Sequence, residues 1–223
     1  MVNRDSHYLA AEDMANPFYF DDASFVRNSL ELDKILLFLS GPNSGGKSTL
    51  CRTITQNQIL AQIGSYVLAS SAEITPADFI FYQNPSFDAL EDEQGRFGTE
   101  LKRTRDIFYA VSPRSFVVLD ELAEGTTYEE RMEVSTDILD GFYKMGNTTI
   151  LVTHNHALAQ QYRNRGVGQH LMAQFVDENP TYVIIEGIST VSHASRIASQ
   201  IGFSREDIAE HLRRVKGSRI DYA

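Results

Sequence analysis

A chain of 223 residues is long enough for a domain with a real core, and 42% apolar with 22% charged residues is ordinary for a globular protein. A formal charge of -10 excludes a broad, sequence-independent grip on nucleic acid by this chain alone, though not a local basic patch. A single cysteine, Cys51, excludes an internal disulfide, and no run approaches the ~18 apolar residues of a membrane span. Residues 1–16 are mostly polar, too polar for a secretory signal. They are expected to form a loose lead-in, with a cytosolic setting as the default. Asn16–Asp22 predicts a turn followed by an edge strand, and Phe25–Leu32, with partly alternating apolar residues, a second edge strand. Phe25 fits two roles, a core residue or a ring that stacks on a flat base.

Ile35–Leu39 is a short apolar run that predicts a buried parallel strand. It leads into Gly41-Pro42-Asn43-Ser44-Gly45-Gly46-Lys47-Ser48-Thr49, which matches the phosphate-binding pattern G-x-x-x-x-G-K-[ST]. Leu50–Leu60 has no Gly or Pro and predicts a helix, so strand, glycine-rich loop and helix follow in the order the motif requires. The glycines let backbone N–H groups approach phosphate oxygens, and the helix N-terminus adds its dipole. Lys47 is expected to reach the β- and γ-phosphates, and the Ser48 hydroxyl to ligate Mg²⁺. Cys51, on the following helix, reads as a small buried residue.

Ile63–Val67 predicts a turn into an extended segment, and Phe79–Tyr82 a strand. Residues 84–98, polar with Pro85, Gly95 and Gly98, predict a long loop before a helix over about 97–111. Ser115–Glu121 is a second chemical element, an apolar strand ending in two carboxylates, at the sheet edge where ligands bind in open α/β folds. Asp120 suits the metal, and Glu121 suits the proton of an attacking water. Thr127-Tyr128-Glu129-Glu130 predicts a capping box, with Val134, Ile138, Phe142 and Met145 on one helical face and Gly146-Asn147 as the stop. Thr148–Thr153 predicts another buried strand. It delivers His154 to the same edge, where a sensor of the γ-phosphate or the water is favoured over a structural histidine.

His170–Val176 and Tyr182–Glu186 predict a hairpin across Asp177-Glu178-Asn179-Pro180. Ser192 and Ser204 are expected to cap two closing helices. The first carries Ala194, Ile197, Ala198 and Ile201; the second has a Phe203–Ile208 staple and a buried face of Ile208, Leu212 and Val215. Arg213, Arg214, Lys216 and Arg219 near its end are read as solvated charges that complement the helix dipole rather than as a nucleic-acid patch.

The loop Gly41–Thr49 resembles the G-P-N-x-G-G-K-S-T of the MutS family of mismatch-repair ATPases. Further segments are similar in order. Ser24–Asn28 resembles the aromatic segment that clasps adenine, and Ile63–Val67 the family's I-G-x-[FY]-V. Leu119–Thr127 resembles its D-E-x-x-x-G-T acid strand and following loop, Thr153-His154 its T-H, and Tyr182 onward its final hairpin and helices. The resemblance spans about residues 17 to 215 and touches only the family's ATPase domain. It implies a P-loop NTPase of the ABC-ATPase type, α/β with a mostly parallel central sheet, a β-rich N-terminal edge and C-terminal helices. The chain reads as one domain over 1–223, with lead-in 1–16, core 17–215 and tail 216–223.

The implied activity is ATP hydrolysis to ADP, with ATP and Mg²⁺ as ligands. Lys47, Glu121 and His154 are the catalytic set, and Ser48 and Asp120 hold the metal. Phe25 and the loop Gly41, Pro42, Asn43, Ser44, Gly45, Gly46, Lys47, Ser48 and Thr49 hold the nucleotide. The implied partners are a second copy across the nucleotide faces and mismatched duplex DNA through domains without a counterpart here; no membrane is implied. There are two departures from the family pattern. Gly95 stands where the family presents a serine to the opposing subunit, and Tyr82-Gln83-Asn84 replaces T-R-x-G. The first admits an alternative, a nucleotide-gated dimerisation module with little turnover. No L-S-G-G-Q run of transporter ATPases is present.

Overall fold

The computed structural model describes residues 6–33, 35–84, 95–123, 125–177, 179–189, 199 and 201–217. Two units are distinguished, residues 1–189 and 190–223. The first runs β1 (Leu9–Met14), β2 (Asn28–Leu32), β3 (Leu36–Ser40), α1 (Lys47–Gln62), β4 (Ser71–Ile74), β5 (Ile80–Gln83), α2 (Gly95–Ala110), β6 (Phe116–Asp120) and α3 (Tyr128–Met145). It continues with β7 (Thr148–Thr153), α4 (His156–Asn164), β8 (Gln169–Val176) and β9 (Asn179–Glu186); α5 (Arg205–Gly217) lies in the second unit.

Six strands form one sheet in the order β5-β6-β7-β3-β8-β9. All neighbours from β5 to β8 are parallel, and β9 is antiparallel to β8. The central strands β3, β6 and β7 are buried along their whole length because both faces are covered. Side-chain alternation then sorts them into two cores. Leu37, Leu39, Val118, Ile150 and Val152 pack with Leu50, Cys51 and Ile54 of α1. Leu36, Phe38, Val117, Leu119 and Leu151 pack with Leu139 and Phe142 of α3 and Leu158 and Tyr162 of α4. Among the described residues no helix is long and apolar enough to cross a membrane.

A second, three-stranded antiparallel sheet, β2-β1-β4, lays Leu9, Ala11, Leu30 and Leu32 on the α1 side of the core. Here the structure corrects the expected loose lead-in, because residues 9–14 are a paired strand with Leu9 and Met14 fully buried. The alternation that would have shown it is broken at Glu12-Asp13. Asp13 takes a left-handed φ of 50°, and the register with β2 shifts between Ala11 and Met14. The edge strand expected after Asn16 is also absent, for a local reason. Asn16 accepts the Phe18 N–H at 2.9 Å, and Tyr19 and Asp22 close further turns, so the backbone satisfies itself without a ladder.

Element ends follow capping chemistry. Thr127 accepts the Glu130 N–H at 3.4 Å to open α3, and Gly146, at φ 85°, donates to Phe142 O at 3.1 Å to close it. The Glu130 carboxylate takes the Thr126 hydroxyl. The hairpin turn is tighter than expected, since β9 already starts at Asn179.

In the second unit, Ser204 and Asp207 exchange hydrogen bonds to cap α5, as its sequence predicts. The buried face does not follow. Ile208, Leu212 and Val215 are more than a third exposed, and Phe203 is 66% exposed. Arg214 pairs with Glu210 one turn earlier and stays solvated. Ser192, Ala194, Ile197, Ala198 and Arg219, and the side chain of Lys216, lie outside the described residues.

Candidate functional site

Three adjacent parallel strands end at one edge of the sheet, and each delivers a piece of chemistry there. β3 runs into the glycine-rich loop, β7 into His154, and β6 into Asp120 and Glu121. The loop turns through left-handed residues, Ser44 at φ 64° and Gly46 at φ 84°, and Gly46 is the N-cap of α1. The helix therefore starts at Lys47, three residues before the expected Leu50, and points its free N–H groups at the loop. Gly45 has a second constraint that the phosphate motif does not express. A Cβ there would lie 2.7 Å from the Ala173 Cβ and 3.1 Å from the Phe175 ring of β8.

Lys47 is 5% exposed and donates from Nζ to Pro42 O at 2.8 Å. Burial pulls its ammonium below the usual range, while the charges of Glu121 and Asp120 oppose that shift. Asp120 is displaced upward, first by burial, then by the neighbouring Glu121, against the Ser48 hydroxyl bond and the charges of Lys47 and Arg52. So Lys47, Ser48, Asp120 and Glu121 form one electrostatic group, although 73 residues separate Lys47 from Asp120. Cys51 is fully buried and its thiol is raised out of the reactive range, as its packing role requires. His154 Nε2 lies 3.0 Å from Glu121 Oε1, which brings two expected catalytic residues into direct contact. Glu121 itself has a left-handed backbone, φ 70°, with its N–H donated to Val152 O at 3.0 Å.

The other flank of the loop opens into a cavity of about 460 Å³ lined by Phe25, Tyr19, Asn28, Gly46, Thr49 and Tyr182, among others. Phe25 stacks on Tyr19 with centroids 5.7 Å apart and nearly parallel rings. Its role as simple core is thereby set aside, since it faces a cavity rather than either core cluster. Sequence reasoning did not find Tyr182. Its β9 backbone takes φ 60°, and its ring sits 3.3 Å from where a Cβ on Gly46 would be. Asn28 holds it there by donating to Tyr182 O at 3.0 Å and accepting the Ile184 N–H at 2.8 Å. The only available signal was an aromatic at the start of the second hairpin strand, 136 residues beyond Gly46.

Of the expected loop residues, Gly46 and Thr49 line the cavity beside Ser44, whereas Lys47 and Ser48 turn toward the acids; Asn43 is exposed at the tip. Gly95 opens α2 at φ 66°, and a Cβ there would meet nothing within 4 Å. Of the loop before it, residues 85–94 lie outside the described residues. Tyr82 and Gln83 both find new partners. The Tyr82 hydroxyl reaches Ser48 O at 3.4 Å, and Gln83 pairs with Thr104 of α2 at 3.0 Å.

A family model described as MutS domain V matches residues 37–215. The chain is 32% identical over 190 residues to the DNA mismatch repair protein MutS of Shouchella clausii (strain KSM-K16), covering 82% of this chain and 22% of that protein. It is 31% identical over 188 residues to the DNA mismatch repair protein msh3 of Aspergillus oryzae (strain ATCC 42149 / RIB 40), covering 78% and 17%. It is also 33% identical over 153 residues to the DNA mismatch repair protein MutS of Syntrophobacter fumaroxidans (strain DSM 10017 / MPOB), covering 66% and 17%. The chain thus spans about a fifth of the length of the curated relatives it matches.

Proposed function

Because this chain belongs to the MutS domain V family, we propose that it binds ATP with Mg²⁺ and hydrolyses it, within a protein that handles mismatched DNA through other domains. One observation carries the reading. The buried Lys47 sits between its own glycine-rich loop and the Asp120–Glu121 pair delivered from two strands away.

The residues present suit the metal. The Ser48 hydroxyl and the Asp120 carboxylate are adjacent, hydrogen-bonded hard oxygen donors. Among the described residues no three His, Cys, Asp or Glu side chains converge on one point. Phosphate and water would therefore supply most of the remaining ligands, as Mg²⁺ favours. When bound there, Mg²⁺ neutralises charge on the phosphates.

The chain's own groups do the rest. Lys47 leaves the Pro42 carbonyl for the β- and γ-phosphates, exchanging a neutral acceptor for an anionic one. Loop N–H groups and the α1 N-terminus hold the phosphate oxygens. Phe25 and Tyr182 hold the base, which can offer its flat faces to rings. Glu121 orients water and takes its proton, and His154, already touching Glu121, fixes the carboxylate and reports the γ-phosphate end. Two copies meeting across their nucleotides, with ATP favouring the pair, extend the reading to assembly.

The test is single-turnover ATP cleavage beside equilibrium ATP binding, each with and without Mg²⁺. Glu121→Gln should keep ATP binding and lose roughly 10²–10⁴-fold in cleavage, the usual worth of a positioned base. Loss of both together would make Glu121 structural. One observation favours a second reading, nucleotide-gated pairing with slow turnover. Gly95 offers no hydroxyl and holds a backbone angle that serine adopts only under strain.

A further inference from the structure

We propose that Glu100 of α2 is a positioning residue for Glu121, an inference that rests on the ATPase reading above. Glu100 is a 7% exposed carboxylate on the inner side of α2, near Phe97 and the buried Thr104, an environment a charge tolerates only when it is held by hydrogen bonds. One of its oxygens, Oε1, accepts the backbone N–H of Ala123. Ala123 is the second left-handed residue of the turn after β6, at φ 56°, with Glu121 at φ 70° two positions before it. Two non-glycine residues in this conformation within three positions persist only where the surroundings over-determine them.

The surroundings do so from both ends. At Glu121 the backbone N–H is fixed to Val152 O of β7 at 3.0 Å. At Ala123 the N–H is fixed to Glu100, while Leu122 and Ala123 are buried against the α3–α4 core. Glu121's side chain projects from between these two anchors and meets His154. Glu100 is itself braced. Thr104 donates to Glu100 O at 3.0 Å and is paired to Gln83 of β5, which ties this stretch of α2 to the edge of the main sheet. A change at the start of α2 is therefore transmitted to the carboxylate at the reacting end through the Glu100 carboxylate and the Ala123 amide.

The experiment compares the full chain with Glu100→Ala, Glu100→Gln and Glu121→Gln. It reads amide hydrogen exchange at Ala123, ATP affinity and single-turnover cleavage. Glu100→Ala should speed Ala123 exchange and lower cleavage about tenfold to a hundredfold, the scale of a misplaced group, with ATP affinity within about twofold. Glu100→Gln keeps an acceptor oxygen and should restore most of both. The double variant Glu100→Ala/Glu121→Gln should cleave no more slowly than Glu121→Gln alone, since both act through one carboxylate. Faster Ala123 exchange with unchanged cleavage would overturn the proposal and leave a purely structural clamp. So would a joint fall of affinity and cleavage that glutamine does not rescue. A wild-type chain that binds ATP without cleaving it defeats the ATPase reading and this role with it. Cleavage by the wild type that Glu100→Ala matches defeats only the role of Glu100.

Discussion

In the role proposed for it, Lys47 would have much of its work done before a ligand arrives. Its ammonium is buried, satisfied by Pro42 O and attracted by Asp120 and Glu121, so phosphate binding as proposed would exchange partners rather than recruit a solvated chain. Lys47→Ala should weaken ATP binding by a few kcal/mol, about the worth of charge-assisted bonds to an anion, while the fold survives; calorimetric titration checks this. At the cavity flank, Phe25→Ala and Tyr182→Ala should each reduce affinity for ATP and leave affinity for inorganic triphosphate unchanged. That ligand has no base, so an equal loss for both ligands would remove the stacking role. Buried His7 tests the opposite case, a charge that the fold refuses. Burial holds its imidazole below the usual value despite the Gln58 bond, and the ring stacks on Phe116. The folded state therefore binds fewer protons than the unfolded chain below about pH 6.5, and stability is intact above that pH and lost as pH falls. His7→Phe should flatten this part of the pH–stability curve, at a standing loss of about 1–3 kcal/mol for the stranded Gln58 acceptor.

At the scale of elements, α2 and the α3–α4 pair make separate claims. Gly95 begins α2 at φ 66° in open space, so a serine there meets strain but no clash. Gly95→Ser and Gly95→Ala should both lower the thermal stability of the chain, each by about 1–2 kcal/mol, the price of a left-handed side chain. Only the serine should then tighten ATP-dependent pairing, as measured by sedimentation; equal pairing by the two variants would remove the hydroxyl from the contact. Between α3 and α4, Asp140 accepts the Tyr162 hydroxyl at 2.7 Å and lies 3.0 Å from Arg165. Burial alone would raise its carboxyl, but these two partners bring it below its ordinary value. Its contribution is thus complete above the unfolded value near pH 4 and is lost as pH falls through the lower folded value. Asp140→Asn should destabilise the chain at pH 7 and remove that acid limb, which thermal melts from pH 7 to pH 3 would show.

With a formal charge of -10, this domain alone should bind duplex DNA weakly at physiological salt, and the paired Arg214 of α5 offers little to phosphates. Nanomolar binding that discriminates a mismatch, measured by fluorescence anisotropy, would overturn that expectation and make the α5 cluster a contact surface. ATP with Mg²⁺ should raise the sedimenting mass from monomer toward dimer; identical masses with and without nucleotide would count against pairing through the nucleotide faces.

The glycine-rich loop, the D-E strand end and His154 could be read from the residues because each is a short local pattern, and parallel strands necessarily bring their C-terminal ends to one edge. β3 and β6 could be read as buried strands because strands covered on both faces carry nearly unbroken apolar runs, whereas the mostly parallel sheet was what the family resemblance implied. Three features could not be read, and each depends on contacts distant in the chain. β1 is a strand because β2 and β4 flank it, and Asp13 hides its alternation. Tyr182 closes the cavity because Asn28, 154 residues earlier, pins the hairpin. Glu100 reaches Ala123 only because β5 and β6 are neighbours, which lays α2 beside the turn after β6. Local spacing determines which groups a chain can present, whereas their meeting depends on pairings whose partners no window of sequence contains.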